Sequence, residues 1–261
     1  MIRSFKAEMV KLLRRRVVVI TSIVAVVFSV AAAAIVLSSA SATSDPRQPG
    51  PSLQSLSDAG GGTEVFTTAA SFAGTFLFVV FVGAIAAEFS RGTVRAMLLR
   101  QPNRLALLAG KVGALLAFAA TALAGTEVLT WVTARLLAPS QDVATADWTS
   151  VAALGQAAAD YGNVLLWVTG YAVLGLALAV VVRSVPVALA VGIAWAGPIE
   201  HLVQEAWAGA GRVFPGLLLE AFVAGGTPEV SAGRALATIA VYGTVAVAIA
   251  GTLFVRRDVT A

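Results

Sequence analysis

Five apolar runs, at residues 17–40, 65–87, 112–134, 164–182 and 235–255, are each close to the roughly 20 residues that a helix needs to cross a bilayer. Between them lie short polar or Pro/Gly-rich stretches. Only 12% of the 261 residues are charged, and the mean hydropathy is +0.87. A soluble domain of this length cannot bury that much apolar surface, so lipid must serve as its solvent. A sixth run, 185–197, is too short to span alone and must continue past Pro198 to residue 208. Proline there removes a backbone donor and kinks the helix at Gly197-Pro198. The pattern predicts an all-α integral membrane protein: a single transmembrane domain, 1–261, of six transmembrane helices.

The first run is about twice as long as the apolar region of a signal peptide, so it reads as an uncleaved helix although Ala40-Ser41-Ala42 resembles a cleavage site. Orientation follows from the cations. With the N-terminus inside, only Arg47, Arg135, Arg212 and Arg234 of the 18 Lys and Arg fall outside. An even number of spans then places both termini in the cytoplasm. Arg-rich, Ala- and Val-rich usage points to a GC-rich bacterial genome, hence a multi-pass protein of the bacterial plasma membrane.

Other classes are excluded or weakened by composition. There is no cysteine, so there are no disulfides, thiolate metal sites or Cys nucleophiles. A pI near 10.0 invites a nucleic-acid reading, but the basic residues flank apolar runs and form no continuous surface. No Gly-x-x-x-x-Gly-Lys-Ser/Thr loop is present, so the chain is not itself an ATPase. No Ser/His/Asp arrangement stands out for hydrolysis.

Residues 1–16 form an amphipathic stretch. Ile2, Phe5, Met9, Leu12 and Leu13 share one helical face, with Lys6, Lys11, Arg14 and Arg15 on the rest. This predicts an interfacial helix lying flat at the inner leaflet, basic residues near anionic headgroups. Outside, 41–63 reads as a mobile loop rich in Ser, Pro and Gly, and 139–160 carries Asp142, Asp147 and Asp160 with Trp148 as an interfacial anchor. Residues 213–224 are apolar but too short to span, which predicts short external or re-entrant helices between spans five and six.

The segment 88–111 is a basic island between spans two and three. Arg91 and Arg95 are one helical turn apart, opposite Phe89, Thr93 and Met97; Pro102 ends that helix and Asn103 can cap the next. Glu88 closing a span, then Arg91-Gly92-Thr93-Val94-Arg95, then Leu98-Leu99-Arg100-Gln101-Pro102-Asn103-Arg104, then Lys111 opening the next span, resembles the type-2 permease subunits of ATP-binding-cassette transporters. The basic elbow, six spans, broken fifth span and Phe254-Val255-Arg256-Arg257-Asp258 tail agree with that layout along essentially the whole chain. The resemblance implies an exporter permease with no cofactor of its own. ATP and Mg would be bound by a separate ATPase subunit, and a second permease subunit, identical or homologous, would complete the path. It also implies that 88–111 is a cytoplasmic coupling loop. Contact with the ATPase would fall on Glu88, Arg91, Gly92, Thr93 and Arg95, with Pro102 and Arg104 shaping the exit and the tight Arg183-Ser184 turn as a weaker second contact.

Two polar groups within the spans are candidate sites. Glu127, between Thr126 and Thr130, is either a helix–helix hydrogen-bonding group or a contact along the substrate path. Glu200, His201 and Glu205 cluster past the kink as a polar helix end near the outer gate. A metal site is disfavoured because His201 is the only histidine. The rival functions are a stand-alone secondary transporter or channel using Glu127 as proton carrier, and a non-transporting membrane scaffold. A mostly apolar path fits a lipophilic drug, a lipid or an amphipathic peptide.

Overall fold

The structure, a computed structural model, describes residues 1–40, 51–207 and 209–257. The candidate cleavage site at Ser41-Ala42, the stretch holding Pro46, Arg47 and Pro49, Ala208, and the tail from Asp258 lie outside the described residues. In chain order the helices are α1 (Ile2–Leu12), α2 (Arg15–Ser38), α3 (Leu53–Ser57), α4 (Gly61–Ser90), α5 (Thr93–Arg100), α6 (Arg104–Leu137), α7 (Val151–Val182), α8 (Val185–Ala194), α9 (Glu200–Ala206), α10 (Pro215–Val223) and α11 (Ala232–Arg256). No β-strand occurs among the described residues.

Among the described residues, four helical stretches are long and apolar enough to cross a membrane: Arg15–Ser38, Arg104–Gln141, Val151–Val182 and Ala232–Arg256. They point to a membrane protein and contain the predicted runs 112–134, 164–182 and 235–255 and nearly all of 17–40. The runs 65–87 and 185–208 fall on the 30-residue α4 and on α8–α9, where the first helix, Val185–Ala194, is ten residues long. Side-chain placement is inverted relative to a soluble protein. On α2, Ile20, Ile23, Val27 and Ile35 are exposed, whereas Ser29, Ala32 and Ala33 are buried. Large apolar side chains lose nothing by facing hydrocarbon, and small ones let helix backbones approach.

The chain packs as two compact units. One comprises Leu12–Phe72 and Phe118–Leu165. Its core holds Val36, Leu37, Leu56, Val65, Ala134 and Trp148. Trp148, expected as an interfacial anchor, is instead 3% exposed, and its indole N–H donates to the Leu56 carbonyl at 2.8 Å. That bond is possible because the presumed loop is structured from residue 52 onward. Ser52 caps α3 by accepting from the Ser55 amide, and Gly61 begins α4. Gly62 then lets α4 approach the rings, since a Cβ there would lie 2.6 Å from Trp131 and 3.1 Å from Trp148. Asp160 lies within α7, not in a loop, and accepts from Thr63 Oγ1 at 2.6 Å and Gln156 at 3.0 Å.

The other unit comprises Met1–Lys11, Ala73–Ala117 and Leu166–Ala261. Here α7 and α8 are joined by two residues, with Arg183 in the left-handed region at φ 55°. The predicted break at Pro198 is a π-helical turn, Trp195–Ile199, between α8 and α9. The widened turn accommodates the missing proline N–H without ending the helix. The short apolar segment after it forms α10, whose Leu218 and Ala221 pack with Val230 and Ala235.

Replacing Trp148 with Phe leaves the Leu56 carbonyl buried without its donor. The expected cost is about 1–3 kcal/mol, read as a lower thermal midpoint for the purified chain in detergent.

Candidate functional site

The corner from α4 to α6 is built by backbone chemistry. Gly92 adopts φ +65°, a left-handed conformation that glycine enters without a Cβ clash, and this separates α4 from α5. Arg91 and Arg95 are therefore not successive turns of one helix, as the spacing predicted. Arg91 lies in the bend and Arg95 in the first turn of α5. Thr93 Oγ1 donates to the Glu88 carbonyl at 3.2 Å and ties the two helices together. Pro102 follows the end of α5, and Asn103 caps α6 by accepting from the Ala106 amide at 2.9 Å.

On α5, Val94 is buried beneath the corner, while Arg91, Gly92, Thr93 and Arg95 are exposed and Leu99 is 84% exposed. Arg104 does not face outward. Its Nη1 donates to the carbonyls of Phe254, Val255 and Arg257, closing the C-terminal end of α11. Arg257 in turn donates to the Val181 carbonyl at the end of α7. The Arg183 guanidinium lies 5.4 Å from the centre of the Phe89 ring, and the Val185 amide donates to Ser90 Oγ.

Glu88 points away from the exposed face, into a four-charge cluster. Lys111 Nζ contacts Glu8 at 2.7 Å and Glu88 at 2.9 Å; Lys11 Nζ contacts Glu8 at 2.9 Å and Glu88 at 3.2 Å. Each carboxylate thus meets both ammonium groups. The cluster joins α1 to the end of α4 and the start of α6. Gly110 completes the joint, since a Cβ there would lie 2.7 Å from the Met1 carbonyl and from Ser4 Cβ. The predicted amphipathic helix is present as α1, but its most buried residue is an acid, Glu8. Ile2, Val10 and Leu13 remain exposed on α1 and just beyond it. Sequence reasoning passed over Glu8. The available signal was that it is the only acid among the first sixteen residues, three positions before Lys11.

Burial pushes the Glu8 carboxyl up, but hydrogen bonds from Lys111 and Lys11 outweigh it and hold the group below its ordinary 4.5. Burial likewise disfavours charge on Lys11, and the Glu8 and Glu88 carboxylates outweigh it, so its pKa lies above 10.5.

The other predicted residues separate. Thr130 Oγ1 donates to Ser29 Oγ at 3.0 Å, and Ser29 Oγ to the Thr126 carbonyl at 3.4 Å, joining α6 to α2. Glu127 lines a cavity of about 530 Å³ with Trp131, Trp148 and Tyr161. Glu200 is 1% exposed and accepts from the Leu217 amide at 3.0 Å, capping the start of α10. A Cβ on Gly216 would lie 2.5 Å from its Oε2, so glycine is what admits the carboxylate. His201 Nε2 instead faces Glu220 at 3.3 Å, and Glu205 is exposed. No grouping of three metal-ligating side chains occurs among the described residues.

Glu8→Gln weakens the hold on Lys111 and Lys11, so α1 detaches more readily and trypsin cuts faster at Lys6. The same attachment depends on pH. Glu8's contribution is fully present above pH 4.5 and is lost as pH falls through its lowered pKa; Lys11's is fully present below pH 10.5 and is lost as pH rises through its raised one. Peptic cleavage at Phe5 in detergent, measured across the acid side and normalised to an exposed reference site, should rise only below pH 4.5.

No curated protein and no solved structure matches the chain. A family profile covers residues 17–260, nearly the whole sequence, and the chain belongs to that family, described as "Protein of unknown function (DUF2705)".

Proposed function

We propose that this chain is the permease subunit of an ATP-driven exporter in a bacterial plasma membrane. It crosses six times with both termini in the cytoplasm, α4 and the α8–α9 pair supplying the second and fifth spans and α10 lying on the outer side. It is not itself an enzyme. A separate ATP-binding-cassette ATPase binds ATP and Mg, and a second permease subunit, the same or a homologous chain, completes the path for a lipophilic or amphipathic cargo.

The observation that carries this reading is the exposed basic face formed by the Arg91 bend and the first turn of α5 on a braced corner. Arg91, Thr93 and Arg95 face outward. Behind them Gly92, the Thr93–Glu88 bond and the Asn103 cap hold the bend, and the four-charge cluster holds α1 to it. A partner seated on such an element transmits displacement into α4 and α6 instead of bending a loop. Arginines give that contact direction through paired hydrogen bonds to carboxylates. Glu88 and Arg104 support the corner from within, and Pro102 sets its exit.

A second reading, a secondary transporter or channel working alone, draws on Glu127. Its Oε1 is buried with no hydrogen-bond partner and it lines a cavity. Transport by the isolated chain in liposomes under an ion gradient would favour this reading over the first.

If a neighbouring reading frame encodes a P-loop ATPase, the chain co-expressed with that ATPase should co-purify with it. The double change Arg91→Glu/Arg95→Glu should reduce recovery of the ATPase by about tenfold or more while leaving the permease folded. Undiminished association would remove α5 as the docking element.

A further inference from the structure

We infer that the cavity around Glu127 is a binding site for a lipophilic monovalent organic cation. It lies wholly within the unit formed by Leu12–Phe72 and Phe118–Leu165. Its volume of about 530 Å³ is that of a small-molecule site, far larger than a bound water or bare ion requires. Ala124, Val128 and Leu154 supply aliphatic wall; Trp131, Trp148 and Tyr161 supply rings.

The polar ends of two of those rings are already committed. Trp148 Nε1 donates to the Leu56 carbonyl, and Tyr161 Oη donates to the Ala120 carbonyl at 3.0 Å. What they offer the cavity is carbon surface. Trp131 already carries a cation, the Arg135 guanidinium 5.3 Å from its ring centre, so its part in the cavity is apolar wall, and the attraction for positive charge comes from the Glu127 carboxylate and the Trp148 and Tyr161 rings. Asp160 adjoins the cavity through Thr63, which lines it, and both Asp160 oxygens are engaged by Thr63 and Gln156. It adds negative potential without being free to bind.

Glu127 is different. Its Oε1 is out of solvent contact and meets no hydrogen-bond donor among the described residues. A buried polar oxygen without a partner is costly, and positive charge in the cavity that Glu127 lines offsets that cost by acting on the whole carboxylate. An anion has no Lys or Arg among the lining residues to meet it. A neutral lipid chain would leave the carboxylate unmatched. A hydrated metal ion would find one carboxylate and hydrocarbon walls. An amine or onium ion wrapped in apolar groups matches the carboxylate, the rings and the volume together.

This site deepens the permease reading as the place where cargo is held, and it rests on that reading only for its part in transport. Binding needs no ATPase, so loss of ATPase docking and loss of cation binding are separate failures. The test uses the full chain in phosphatidylcholine nanodiscs, with tetraphenylphosphonium and tetraphenylborate, ions of one shape and opposite charge, measured by equilibrium dialysis against empty nanodiscs. Tetraphenylphosphonium should bind saturably, one per chain. Glu127→Gln should weaken it about tenfold, Glu127→Asp should restore part of that loss, and Trp131→Leu should weaken it with the carboxylate intact. Tetraphenylborate should show lipid partition only. Equal binding by the wild type and Glu127→Gln, equal saturable binding of the two ions, or no saturable phosphonium binding would each overturn the assignment.

Discussion

Two lysines and two glutamates, Glu8, Lys11, Glu88 and Lys111, make the contact on which the corner between α1, α4 and α6 depends. Each acid reaches both bases. Such a cluster adds little net stability compared with an apolar core of the same volume, because taking charges out of water is expensive. Its effect is geometric. Removing one member strands the others in a poorly solvated place, so α1, the end of α4 and the start of α6 are held in one register. In lipid that role is hard to fill otherwise, since apolar side chains gain nothing by meeting each other instead of hydrocarbon.

The same constraint explains how the helices end. A backbone group left open away from water costs several kcal/mol, and at four of the breaks a side chain closes it. Asn103 caps α6, Arg104 closes α11, Glu200 caps α10 and Ser90 accepts from the first amide of α8. Predicted functional residues turn out to hold these positions. Arg104 came to notice through the coupling-loop resemblance and Glu200 through its cluster with His201 and Glu205, and the structure gives each a backbone partner. Glu127 differs, with a carboxylate oxygen that meets no hydrogen-bond donor among the described residues. Contrast with its neighbours singles it out: Thr126 and Thr130 are used in the contact with Ser29, while the acid between them on the helix is turned into a cavity.

Most of the helical framework was legible in the chain. Runs of about twenty apolar residues leave little choice, because a helix satisfies its own backbone in lipid. Pro198 marked the break in the fifth apolar segment, and Pro102 with Asn103 marked the start of α6. Less legible were the lengths and the turns. Helix α7 begins at Val151, thirteen residues before its apolar core at 164, since Asp160 and Gln156 satisfy each other within it. The stretch around Leu56 read as a loop from its Ser and Gly content, yet it forms α3 and accepts a bond from Trp148. Gly92 looked like one more residue of a helix, and its positive φ separated two.

By itself the sequence determined the solvent, the helical class and the places where helices must stop, because hydropathy, proline and glycine act over a few neighbouring residues. Only the tertiary structure decided what each charge is for. Glu8 meets Lys111 across 103 positions of chain, and Glu88, Arg104, Glu200 and Glu127 look alike along the sequence: charges in or beside apolar segments. Their roles as clamp, cap and open site arise from which partners the packed helices bring within about 3 Å, the range at which a charged group forms a hydrogen bond, and no local pattern encodes that distance.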